Sequence, residues 1–84
     1  MTLQTIKEHL GTAPGISVAA RGSGAGAYLY ICTNRRAIEV YPGNNGMLIE
    51  CWDNADKESY EPAVKLEEVR SDAEAVNRIK AWLI

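Results

Sequence analysis

The side chains able to do chemistry in this 84-residue chain are few. They are two cysteines, one histidine, a run of carboxylates and an arginine pair beside tyrosines. Cys32 or Cys51 could act as a nucleophile with His9 as base, but that needs hydrogen-bond contact between the two groups. His9 falls off the apolar stripe of the first helix and reads as a solvated surface residue. Zinc requires four ligands in short-spaced pairs, and one histidine with two distant cysteines does not supply them.

Asp53, Asn54, Asp56, Glu58 and Glu61 are spaced like cation ligands. The calcium-loop pattern fails, because Ala55 occupies its third position and no glycine follows. Gly22-Ser23-Gly24-Ala25-Gly26 looks like a phosphate cradle, but a strand-like Ala27-Tyr28-Leu29 follows where a helix is required. The segment therefore reads as a hairpin loop. No nucleophile elbow or oriented triad is visible, so no cofactor, metal or catalytic residue is expected and the chain reads as non-enzymatic.

Charge divides the chain unevenly. Up to residue 49, Lys7, Arg21, Arg35 and Arg36 stand against Glu8 and Glu39, a balance of +2. Residues 50–74 carry Glu50, Asp53, Asp56, Glu58, Glu61, Glu67, Glu68, Asp72 and Glu74 against Lys57, Lys65 and Arg70, a balance of −6. That field repels nucleic-acid phosphate and attracts a basic protein. A stretch of charges that merely keeps a loop solvated is the plainer alternative. Arg35-Arg36 with Tyr28 and Tyr30 could stack and neutralise a single-stranded nucleic acid. Glu39 and Glu50 on the same surface oppose that use.

The elements that hold these residues are signalled by spacing. Leu3, Ile6 and Leu10 define a short helix ended by Gly11. Strands are expected over residues 16–20, 27–33, 37–41 and 47–52, with Asn45-Gly46 supplying positive φ angles for a hairpin. Residues 53–62 read as an acidic loop. Residues 63–67 read as an edge strand with Val64 and Leu66 inward. Ser71 and Glu74 make a capping box for a final helix whose apolar stripe is Ala75, Val76, Ile79, Trp82 and Leu83. The order predicts one α+β domain over 1–84, an antiparallel meander of four or five strands with both helices on one face.

Alternation along the strands then assigns faces. With Leu29, Ile31, Ile38, Val40, Met47, Ile49 and Cys51 inward, the outward set is Tyr28, Tyr30, Cys32, Glu39, Tyr41, Leu48, Glu50 and Trp52. Cys32 and Cys51 fall on opposite faces, which prevents a disulfide between them. The outward aromatics, with Glu39, Glu50, Asp53, Asp56, Glu58 and Glu61, form the candidate surface for a basic protein partner.

Small acidic inhibitors, immunity proteins and antitoxins share this size and charge. A small-molecule or nucleotide sensor using the glycine loop, or a self-associating subunit that forms a homodimer, are the alternatives. The first residues lack an export signal's apolar run, and no stretch approaches the ~20 apolar residues that span a bilayer, so a cytoplasmic location is expected.

Overall fold

The computed structural model describes residues 1–84. The chain runs α1 (Leu3–Leu10), β1 (Ser17–Arg21), a 3₁₀ turn (Gly24–Gly26), β2 (Tyr28–Cys32), β3 (Ala37–Pro42), β4 (Met47–Trp52), β5 (Lys65–Val69) and α2 (Asp72–Leu83). The five strands form one antiparallel sheet in the order β1-β2-β3-β4-β5, each paired with its neighbour in sequence. This is the expected α+β meander. α1 lies over β2 and β3, α2 lies over β4, and the two helices pack on each other.

Local chemistry explains the helices. Thr2 and Thr5 form a reciprocal capping box at the start of α1, an arrangement that sequence reading passed over. Thr5 Oγ1 also donates to Asp72 Oδ1 at 3.1 Å, tying the starts of both helices together. At α2, Ser71 Oγ accepts from the Glu74 N–H. Glu74 Oε1 accepts from the N–H of Arg70 instead of that of Ser71, so the expected box is shifted by one residue.

Between the layers, Ile6 and Leu10 of α1 and Ala75, Ile79 and Leu83 of α2 meet Leu29, Ile31, Ile38, Val40, Met47, Ile49, Cys51 and Val69 of the sheet. All seven residues assigned inward from β2, β3 and β4 are there. Cys51 is buried among them, Cys32 lies on the other face, and both are free thiols.

Two further departures from expectation concern the β3–β4 hairpin and β5. The β3–β4 connection spans Gly43–Gly46, closed by the Gly43 N–H donating to Gly46 O at 2.8 Å, and Asn45 does not take a positive φ. Gly46 does, at 152°, and a Cβ there would sit 2.2 Å from the Val69 carbonyl oxygen. The hairpin is thus pressed against the end of β5. Second, β5 runs two residues later than expected and with opposite parity. Lys65, Glu67 and Val69 face the helices, opposite Cys51, Ile49 and Met47, while Leu66 faces outward opposite Glu50. Val69, 1% exposed, is the residue that decides the register, because the core has room there for one branched side chain of β5.

No helix is long and apolar enough to cross a membrane.

Candidate functional site

Alternation does place Tyr28, Tyr30, Glu39, Tyr41, Glu50 and Trp52 on the face away from the helices. That face is not bare, because residues 53–64 fold back across it. The indole Nε1–H of Trp52 donates to Glu61 O at 2.9 Å, the Tyr30 hydroxyl donates to Ala55 O at 3.2 Å, and the Val64 N–H donates to Cys51 O at 2.8 Å.

Lys57 is the plug. Its side chain is 7% exposed, and its Nζ sits 4.0 Å from the Trp52 ring centre and 2.7 Å from Glu39 Oε2. Trp52 is only 4% exposed, and Ala37, its neighbour across the strand pair, is fully covered. The expectation that Trp52 faces a partner is therefore corrected. Strand parity gives a side of the sheet, and the chain's own loop covers that side at Trp52.

The rest of the outer face is partly engaged. The Arg21 guanidinium lies 4.4 Å from the Tyr30 ring centre. Arg21, Tyr28, Tyr30, Glu39, Lys57 and Ser59 line an open cleft of about 400 Å³. Burial raises the Tyr30 phenol above its usual range, with Lys57 and Arg21 pulling the other way.

Glu39 and Glu50 stand opposite each other in the β3–β4 register, yet they hold different partners. Glu39 pairs with Lys57, while Glu50 Oε1 accepts from the Tyr41 hydroxyl at 2.5 Å. Burial first, then that hydrogen bond and the nearby carboxylates, push the Tyr41 phenol from 10.0 up to about 12. Tyr41 thus donates to Glu50, and each of the two carboxylates has its own partner.

The acidic segment is more open. Asp53 Oδ1 is 3.9 Å from Arg36 Nε, a loose surface contact. Asp56 and Glu58 are exposed and without an ion pair, whereas Glu61 is half-buried. Sequence reading missed the apolar side chains that the following stretch exposes: Tyr60, Val64 and Leu66 are 85%, 61% and 59% exposed. The missed signal lies in Lys65-Leu66-Glu67-Glu68-Val69, where Leu66 and Val69 have opposite parity and only one of them can face the core.

No family model, curated protein or solved structure matches this chain.

The remaining candidates are occupied in structural roles. Arg36 stacks on Trp82 at 4.4 Å and its Nη1 donates to Trp82 O at 2.8 Å, a cation at the C-terminal end of α2. Trp82 Nε1 in turn donates to Trp52 O at 3.1 Å. His9 contacts Thr5 O at 2.8 Å and Asp72 Oδ2 at 3.3 Å. Burial, and then the Glu67 carboxylate, raise the Cys51 thiol from 9.0 to about 11, the opposite of what a nucleophile needs. After the glycine loop comes the strand β2, and a Cβ at Gly22 would meet Gly26 O at 2.2 Å, so that glycine serves the close turn itself.

Proposed function

We propose that this protein is a non-enzymatic binding module that engages a basic protein partner through residues 53–68. The observation that carries the reading is the exposure of Tyr60, Val64 and Leu66 in the same segment as the unpaired carboxylates of Asp56 and Glu58. Carboxylates speed encounter and select a cationic surface, while a few apolar side chains supply most of the short-range affinity. Among functional classes, an inhibitor, immunity protein or antitoxin that masks a basic enzyme fits this division of labour. Compared with the surface expected from sequence, the aromatic contribution passes from Trp52 to Tyr60. Tyr28 and Tyr41 stay at its margin.

A pull-down at graded ionic strength, with the retained protein identified by mass spectrometry, tests this. Retention of a basic protein should weaken steeply with salt. Asp56→Asn with Glu58→Gln should slow association, and Tyr60→Ser with Leu66→Ser should speed dissociation. Binding indifferent to salt and to both pairs of substitutions would remove the proposal.

The cleft beside the glycine loop supports a second reading, a small-molecule or nucleotide sensor that uses Arg21 and Tyr28. A ligand held there must raise the thermal midpoint, and Arg21→Ala must abolish the rise.

A further inference from the structure

A five-stranded open sheet has two edges, and in this chain they differ in kind. β5 carries Lys65, Glu67 and Glu68 among five residues. Charged side chains are the usual protection of an edge against pairing with another chain. β1 reads Ser17-Val18-Ala19-Ala20-Arg21, pairs only with β2, and has one charge at its end.

The helical layer also covers it less fully, since α1 packs mainly over β2 and β3. Ile16 and Val18 are consequently only half-covered, and with Gln4, Lys7 and Glu8 they line a groove of about 550 Å³ beside the strand.

We propose that β1 is a self-pairing edge, joined antiparallel to β1 of a second copy so that two sheets become one of ten strands. Self-complementarity favours a second copy as the occupant. A two-fold axis at Ala19 sets Ala19 against Ala19, Val18 against Ala20, and Ser17 against Arg21, so no like charges oppose each other. The same operation at the centre of β5 sets Glu67 against Glu67. Along the groove, Lys7 and Glu8 offer one charge of each sign, which a two-fold can match across copies. The join covers Ile16 and Val18, the half-open end of the core. Five paired residues form a small contact beside the ~1,200–2,000 Å² of a stable interface, so the dimer depends on concentration.

Sedimentation from the micromolar to the millimolar range should show the mass rise from 9.2 kDa towards twice that value. Ala19→Lys and Ala19→Glu should each hold the protein at one chain, because like charges then face each other across the axis. Mixed in equal amounts, the two variants should regain the two-chain mass. Amide exchange on the unaltered protein gives a second readout, independent of whether the variants fold: amides of Ser17–Arg21 should slow as concentration rises, while those of β5 should not. A single-chain mass at millimolar concentration, a dimer insensitive to both substitutions, or concentration-dependent protection elsewhere than β1 would overturn the proposal.

Discussion

Lys57 has the least expected role among the side chains of the outer face. A lysine in an acidic loop reads as solvated, yet this one is shut between the Trp52 ring and the Glu39 carboxylate. Removing one member of a covered pair strands the other charge. Glu39 keeps a side-chain exposure of 24%, which softens the penalty. Lys57→Ala should cost about 2–3 kcal/mol in urea unfolding, and Lys57→Met with Glu39→Gln should cost less than the sum of the single changes. Additive costs would mean that the pair carries no coupling.

Tyr41 makes a second residue-scale prediction. Its phenol titrates near 10.0 when unfolded and near 12 when folded, so between those values the folded state holds the proton more often. The contribution of this group to stability is full below pH 10 and is lost as pH climbs towards 12. The Cys51 thiol adds a decline of the same sign between pH 9 and about 11. In denaturation series across this window, Tyr41→Phe should flatten the upper part of the decline and leave the lower part. An unchanged profile would show that burial and the hydrogen bond to Glu50 do not together hold the proton on Tyr41.

At the level of elements, β5 separates what alternation can tell from what it cannot. β2, β3 and β4 were legible because Leu29/Ile31, Ile38/Val40 and Ile49/Cys51 each put two apolar residues on one parity. β5 splits Leu66 and Val69 between parities, so the choice rests on the depth of the site offered by Met47 and by Gly46, which tertiary packing alone defines. The cover over Trp52 was illegible for a related reason: residues 53–62 have no period, and their position comes from single hydrogen bonds at Ala55 and Glu61. The helices were legible from Leu3/Ile6/Leu10 and from Ser71, because stripe spacing and caps are local signals. Substitution tests the observed parity directly. Val69→Ala should destabilise by about 2 kcal/mol and Leu66→Ser by no more than about 0.5 kcal/mol. The reverse order would restore the register expected from sequence.

For the whole molecule, every strand pairs with its neighbour in sequence, so the sheet forms from short-range contacts, a topology that favours rapid folding. Protection should decline outward from the centre of the sheet. Amides of β3 should exchange most slowly, through global unfolding, and those of residues 53–64 by local opening with much lower protection. Equal protection in both would show that the covering segment is part of the cooperative core. Under that prediction the sheet stays closed while its cover lifts. One arrangement turns that difference into a signal. Trp52 is buried beneath the Lys57 ammonium group, and its indole would meet water once residues 53–64 let go. In a Trp82→Phe background its emission would shift to the red upon lifting, so the protein carries its own optical gauge of whether the covering segment lies closed over the sheet or has swung away.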